Sequence, residues 1–159
     1  MKVGIAGYGV VGKTRHRSIE SNTSYQVTAI SESNKEAQEF IPAGIEVYND
    51  YKSLIANADI DVIFISLPNQ FAAEAACLSL QNGLHVFCEK PPAKTHAELL
   101  EVEKQSLKFP ELKLMYGFNH RFHLSVEEAK LLIDSNSLGR LINMKGVYGK
   151  SQMISFNQT

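Results

Sequence analysis

Three glycines near the N-terminus have the spacing of a loop that binds phosphate groups. Gly7, Gly9 and Gly12 follow the apolar run 2–6 in the pattern G-x-G-x-x-G. The first glycine permits a tight turn, the second lets a phosphate approach the backbone, and the third lets a helix pack closely. Free N–H groups at the start of that helix favour an anion. The residues expected to hold the pyrophosphate of a dinucleotide are Gly7, Tyr8, Gly9, Val10, Val11 and Gly12.

An acidic residue, Glu32, lies 20 residues after Gly12, where the second apolar run ends. A carboxylate there can accept hydrogen bonds from an adenosine ribose, although a solvated loop acid is the commoner role for such a residue taken alone. A 2′-phosphate beside it would be repelled by roughly 4 kcal/mol per charge pair at about 4 Å. Ser31, Ser33 and Lys35 could soften that repulsion by binding the phosphate. NAD is therefore the expected cofactor, and NADP is less favoured.

Polar or unusual residues also follow three later apolar runs. Ligands of open α/β sheets bind outside the carboxyl ends of the strands, so these residues are expected to line the same crevice. Pro91 disfavours helical backbone at the residue before it, so the side chain of Lys90 should leave an extended segment. An ordinary exposed ion pair between Glu89 and Lys90 is the alternative. The residues concerned are Ser66, Leu67, Pro68, Asn69, Glu89, Lys90, Asn119 and Arg121.

The apolar runs themselves have the length and composition of strands. Residues 62–65 are continuously apolar, as in strands that are covered on both faces. Helix-like stretches separate the runs, and strands that alternate with helices predict βαβ units. The expected fold is α/β, a doubly wound parallel sheet of the Rossmann dinucleotide-binding type. The predicted strands are 2–6, 25–31, 62–67, 84–88 and 112–117, with a weaker one at 45–48.

Three of the predicted helices have recognisable ends. The stretch 70–81 is rich in Ala and Leu and stops at an Asn-Gly pair. Thr95 and Glu98 form a capping box for a helix over 96–107, and Ser125 is expected to open another helix in the same way.

The pattern changes after residue 120. Alternating apolar and polar residues over 140–148 predict a strand with one solvated face, and no later run could pair with it. Residues 1–120 are therefore expected to form the Rossmann domain, and 121–159 the beginning of an incomplete α/β C-terminal domain. The sequence leaves open whether the chain is a fragment or a natural short form.

Composition excludes several other classes of protein. The net charge of −1 offers no field for nucleic acid, and the longest apolar runs are far shorter than a membrane span. No signal peptide precedes the first strand. Cys77 and Cys88 form neither a CxxC pair nor a metal site, so buried thiols and a cytoplasmic location are expected.

The motifs, in their order along the chain, resemble those of the Gfo/Idh/MocA oxidoreductases. The matching segments are Ala6-Gly7-Tyr8-Gly9, Leu67-Pro68-Asn69, Cys88-Glu89-Lys90-Pro91 and Gly117-Phe118-Asn119-His120-Arg121-Phe122.

The resemblance implies an NAD-dependent sugar or polyol dehydrogenase with a Rossmann domain and a C-terminal domain. It places Lys90 at the substrate hydroxyl as the proton-transferring or orienting residue, with Asn119 and Arg121 towards the substrate or nicotinamide. A structural anchor at the domain junction is the alternative role for Arg121. Ala72 departs from the family, which often has a histidine there. The family's remaining Asp and His lie in the C-terminal domain, and its members commonly associate through that domain, so a homo-oligomer is possible.

The expected function is hydride transfer between the nicotinamide and a secondary hydroxyl of a sugar, sugar nucleotide or cyclitol. This chain alone is expected to bind the cofactor without turnover. A non-catalytic nucleotide sensor remains the alternative, and a domain for another adenine ligand such as S-adenosylmethionine is a third possibility. His16, His85 and His96 are expected to be structural.

Overall fold

The computed structural model describes residues 1–147 and Gly149. The chain divides into two compact units, Met1–Phe118 and Asn119–Thr159. The first unit is a parallel sheet with apolar cores on both faces. In the second unit, a short 3-10 helix, Asn119–Phe122, precedes an α-helix.

All neighbouring strands of the sheet are parallel, in the order β3-β2-β1-β4-β5-β6. The strand order reverses between β1 and β4, and a crevice opens at such a point outside the carboxyl ends of the strands. The prediction of a doubly wound parallel sheet is confirmed, including its weaker third strand. The strands are β1 Lys2–Ala6, β2 Gln26–Ser31, β3 Glu46–Tyr48, β4 Val62–Ile65, β5 His85–Cys88 and β6 Leu114–Tyr116.

In the described residues, five α-helices connect the six strands, and a sixth lies in the second unit. They are α1 Val10–Glu20, α2 Lys35–Gln38, α3 Tyr51–Asn57, α4 Asn69–Gln81, α5 His96–Lys108 and α6 Leu124–Asp134.

Apolar side chains alternate between the two faces of the sheet. On β1, Val3 and Ile5 are fully buried in one core, and Ala6 belongs to the other. On β4, Ile63 and Ile65 pack with α4 and α5 in this second core. Burial of each such side chain stabilises the fold by about 1.5–3 kcal/mol. These two cores hold the sheet whose carboxyl ends carry the polar residues.

The two predicted capping boxes have different outcomes. The Thr95 hydroxyl accepts the N–H of Glu98 at 3.2 Å, so Thr95 caps α5 as expected. Ser125 does not cap α6, which begins at Leu124 after the extended residue His123. The carbonyl of His123 already accepts the N–H groups of Val126 and Glu127, so the helix starts before Ser125.

The strand predicted over 140–148 is also wrong within the described residues. Residues 140–147 form no strand, and Tyr148 lies outside the described residues. Alternation shows which face of a strand would be buried, but a strand forms only where a neighbouring segment accepts its hydrogen bonds. Of the predicted domain 121–159, residues 148 and 150–159 also lie outside the described residues.

Candidate functional site

The glycine loop turns sharply at the end of β1. Gly7 has φ +87°, a conformation that side chains rarely adopt, and its N–H donates to the Ser31 carbonyl at 2.9 Å. A Cβ at Gly7 would lie 2.8 Å from the carbonyl oxygen of Ser66. This turn brings the carboxyl ends of β1, β2 and β4 together.

The other two glycines have opposite surroundings. A Cβ at Gly12 would lie 2.1 Å from the Gly7 carbonyl oxygen, so α1 packs directly on the loop. A Cβ at Gly9 would meet no atom within 4 Å, which leaves the backbone there open to a ligand. Gly9 caps α1 without a side-chain hydrogen bond, and the first turn of α1 contains no acidic residue. The N–H groups of Val10 and Val11 have no partner within the helix and can therefore bind an anion.

Glu32 is held beside this loop by backbone groups. Its Oε2 accepts the N–H of Tyr8 at 2.9 Å, and its Oε1 accepts the N–H of Asn34, also at 2.9 Å. The Gln38 side chain donates to the Glu32 carbonyl at 2.6 Å. Glu32 is therefore not a freely solvated loop acid, because two amides hold its partly buried carboxylate at the mouth of the crevice.

The segment after β4 forms the opposite wall. The N–H of Ser66 donates to the Ala6 carbonyl at 2.8 Å, which continues the pairing of β4 with β1. The Ser66 hydroxyl is buried, and no described residue hydrogen-bonds to it. Pro68 precedes α4, and Asn69 is its first residue.

These walls enclose a cleft of about 580 Å³, a volume within the usual range for ligand sites. Six of the predicted residues at the ends of β1, β2 and β4 line it, whereas Tyr8, Val10, Val11, Gly12 and Asn69 do not. Ser31 and Ser33 line it, whereas Lys35 does not. The lining residues are Gly7, Gly9, Ser31, Glu32, Ser33, Asn49, Asp50, Tyr51, Ser66, Leu67, Pro68 and Phe71.

Four of these lining residues were missed by the sequence analysis. Asn49 and Asp50 directly follow β3. Because ligands of open α/β sheets bind outside the carboxyl ends of the strands, the position of this short strand could have indicated both residues. The rings of Tyr51 and Phe71 lie 6.0 Å apart. The Tyr51 hydroxyl donates to Glu74 at 2.5 Å, and burial followed by that carboxylate raises the pKa of Tyr51.

Tyr8 takes part through its backbone, because its side chain points into the core. The ring is only 4% exposed, and its hydroxyl lies 2.6 Å from Nδ1 of His16. Nε2 of His16 lies 3.2 Å from a carboxylate oxygen of Glu20. Burial, then the charge of Glu20, raise the pKa of Tyr8. His16 is thus a buried structural partner of the glycine loop.

Glu89 and Lys90, which follow β5, do not form the exposed ion pair that was the alternative expectation for them. Glu89 is paired with Arg15 of α1, whose Nε donates to Oε1 at 2.5 Å. Lys90 is exposed and makes no ion pair with any residue of the described chain. Its peptide bond to Pro91 is cis. Neither Glu89 nor Lys90 lines the cleft.

The other residues named in the sequence analysis belong to both units. Asn119 and Arg121 belong to the second unit, where both are in the 3-10 helix. Ala72 is buried in α4, within the core. His85 accepts the N–H of Lys113 through Nδ1 at 3.0 Å, which is a structural contact. Cys77 and Cys88 are both free thiols.

Within residues 1–147, no group of acidic, histidine or cysteine side chains is arranged to hold a metal ion. In the same part of the chain, no helix has the length and apolar character needed to cross a membrane.

Known proteins share this architecture and its motifs. A model of the Gfo/Idh/MocA family, described as an oxidoreductase family with an NAD-binding Rossmann fold, matches residues 1–117. Inositol 2-dehydrogenase of Salmonella paratyphi B is 30% identical over 151 residues, which are 92% of this chain and 45% of that protein. Levoglucosan dehydrogenase of Pseudarthrobacter phenanthrenivorans is 30% identical over 159 residues, covering 93% of this chain and 40% of that protein.

A solved structure of scyllo-inositol dehydrogenase from Lactobacillus casei, with bound NAD(H) and scyllo-inositol, superposes with a TM-score of 0.80. The two sequences are 29% identical, and the match covers 87% of this chain and 42% of the other. The chain thus spans less than half the length of the proteins that it resembles. The resemblance drawn from the sequence motifs is confirmed: the chain belongs to the Gfo/Idh/MocA oxidoreductase family, and residues 1–117 form its NAD-binding Rossmann domain.

Proposed function

We propose that this chain binds NAD in the cleft between Glu32 and Ser66, as the cofactor domain of a dehydrogenase for cyclitols or sugars. The observation that carries the proposal is the glycine loop, which is open over Gly9 and faces a carboxylate held by Tyr8 and Asn34. The names of the relatives, which are inositol and levoglucosan dehydrogenases, support the substrate class.

The preference for NAD over NADP rests on the position of Glu32. Both carboxylate oxygens accept backbone N–H groups, so the carboxylate cannot easily turn away from a 2′-phosphate. Lys35, which could have offset its charge, lies on α2 and does not line the cleft. The remaining lone pairs of the carboxylate accept hydrogen bonds from the ribose hydroxyls, as in other dinucleotide sites.

Bound NAD would accept or return the hydride. Lys90 would hold the substrate hydroxyl through its ammonium group. Lys90 follows β5, on the side of the strand-order reversal opposite the ribose carboxylate. Hydride transfer also needs a complete substrate pocket. Because the relatives are more than twice as long, we propose that this chain alone binds cofactor without oxidising sugars.

Titration with NADH and NADPH, followed by nicotinamide fluorescence, tests the proposal. We expect saturable NADH binding, weaker NADPH binding, and a loss of NADH affinity of about tenfold in Glu32→Ala, since that variant loses charged hydrogen bonds. Glu39→Ala is the matched control, because Glu39 is exposed and lies outside the cleft. A folded chain that bound neither nucleotide at millimolar concentration would refute the assignment.

The same protein sample tests the absence of turnover. Incubation with NAD and myo-inositol or glucose should produce no NADH absorbance. Steady production of NADH that depends on the polyol would contradict this part of the proposal.

A further inference from the structure

We propose that Arg15 is a positioning residue: by pairing with the carboxylate of Glu89, it keeps Lys90 free to act after β5, on the nicotinamide side of the strand-order reversal. This inference rests on the proposed function for its consequence, but the contact itself can be tested without any ligand. The sequence motifs gave no sign of it, because the two partners are 74 residues apart.

The ion pair joins the helix of the glycine loop to the end of β5. Nε of Arg15 donates to Oε1 of Glu89 at 2.5 Å, and a second guanidinium nitrogen contacts the same oxygen. The Glu89 side chain is only 13% exposed, and that of Arg15 is 30% exposed. A carboxylate this buried needs a charged partner, because desolvation of an unpaired charge is unfavourable.

Packing around the pair leaves Glu89 little freedom. The guanidinium carbon of Arg15 lies 5.2 Å from the centroid of the Phe87 ring, which stacks on Phe64 at 4.9 Å. On the other side, a Cβ at Gly117 would lie 3.0 Å from the second carboxylate oxygen of Glu89. The carboxylate is therefore enclosed between α1 and the residue after β6.

The backbone is held as firmly as the side chain. The N–H of Glu89 donates to the Ile65 carbonyl, and the N–H of Gly117 donates to the Cys88 carbonyl, both at 2.9 Å. These bonds place Lys90 two residues beyond Cys88, the last paired position of β5. The sheet thus holds the backbone up to Glu89, and the exposed side chain of Lys90 follows directly after it.

The consequence concerns the charge next to Lys90. With Glu89 paired to Arg15, the exposed ammonium has no carboxylate partner among the residues described and remains available to a hydroxyl. Without Arg15, the freed Glu89 carboxylate would have Lys90 as the nearest cation in sequence. The adenosine half of the site, on the other side of the sheet reversal, would be unaffected.

The first test observes Lys90 in the free protein. Lysines are reductively methylated with ¹³C, and the Lys90 signal is assigned as the one that disappears in Lys90→Arg. We expect this signal to shift in Arg15→Met and to return to its original position in Arg15→Met/Glu89→Gln, which removes the freed carboxylate. Arg17→Met, on the exposed part of the same helix, is the control and should leave the signal unchanged. Arg15→Lys keeps the charge and should also leave it unchanged. If Arg15→Met fails to fold, Arg15→Gln, which also removes the charge, takes its place and should shift the signal in the same way.

The second test compares two ligands by calorimetry. Arg15→Met should bind ADP-ribose as the original protein does but bind NADH about tenfold more weakly, because a Lys90 ammonium that pairs with Glu89 no longer offers a charged hydrogen bond to the nicotinamide half. If the Lys90 signal and the ratio of the two affinities are both unchanged in Arg15→Met, the inference is wrong. If the original protein binds neither ligand, the proposed function fails, while the Lys90 signal still decides the inference.

Discussion

The hydroxyl of Tyr8 lies 2.6 Å from Nδ1 of His16, a residue of α1, and both side chains are buried. The backbone N–H of the same tyrosine binds the carboxylate of Glu32. One residue of the glycine loop is therefore anchored to the core through its side chain and to the end of β2 through its backbone. The conformation of the loop and the position of the carboxylate are linked.

Tyr8→Phe should destabilise the fold. The substitution leaves Nδ1 of His16 without its buried hydrogen-bond partner, a loss of about 1–3 kcal/mol in the free energy of unfolding. Urea unfolding followed by circular dichroism measures it. Tyr25→Phe is the control, since Tyr25 is 39% exposed. Equal losses in the two variants would show that the contact between Tyr8 and His16 adds no stability.

Alanine substitutions at Gly9 and Gly12 should have different effects, the first on NADH binding and the second on the stability of the fold. Gly9→Ala should fold normally but bind NADH at least about tenfold more weakly, because the new Cβ stands where the pyrophosphate approaches. Gly12→Ala should instead destabilise the fold by about 1–3 kcal/mol or more, because its Cβ collides with the Gly7 carbonyl. Thermal unfolding and NADH titration of both variants check this. Unchanged NADH affinity in a folded Gly9→Ala variant would argue against phosphate binding at this loop.

Replacement of Thr95 and of Ser125 by alanine should affect the free energy of unfolding differently. Thr95→Ala should lower the free energy of unfolding by about 1 kcal/mol, because the N–H of Glu98 loses its acceptor. Ser125→Ala should cause no loss, since Ser125 lies inside α6 and alanine is the better helix former. Urea unfolding followed by far-ultraviolet circular dichroism compares them. A clear loss in Ser125→Ala would show that Ser125 caps the helix after all.

Stability should fall in alkaline solution partly because of Cys88. Burial, and then the charge of Glu89, raise the pKa of this thiol from 9.0 to about 12. Above pH 9 the unfolded chain loses this proton while the folded chain keeps it, so rising pH favours unfolding. The slope from this group is at most about 1.4 kcal/mol per pH unit, between the two pKa values.

Cys88→Ala isolates that contribution. The variant should be less stable at pH 7, where a buried side chain has been shortened, but its stability should decline less steeply from pH 9 to 11. Urea unfolding at several pH values gives both slopes. Parallel curves for the two proteins would mean that the thiol titrates alike in the folded and unfolded chains.

Much of the site could be predicted because its parts are local in the sequence. Gly7, Gly9 and Gly12 act within one turn, and Glu32 and Ser66 follow strands whose carboxyl ends must meet in a parallel sheet. Asn49 follows the same rule, but its strand of three residues carries little sequence signal. Thr95 capped its helix as predicted because the bond spans only three residues.

The incorrect and missing predictions involve partners that the sequence does not place together. The helix expected from Ser125 begins earlier because the carbonyl of His123 is already in position to accept its first hydrogen bonds. The strand over 140–148 had the required alternation, but no segment pairs with its described residues, 140–147.

The sequence by itself determined the parallel sheet, the glycine loop and the family, because hydrophobic period, turn chemistry and motif order are properties of neighbouring residues. Only the tertiary structure decided that Tyr8 faces the core and that Glu89 pairs with Arg15 instead of Lys90. Those choices depend on which side chains meet across α1 and β5. Contacts between residues 74 positions apart arise from packing and desolvation, and no local pattern records them.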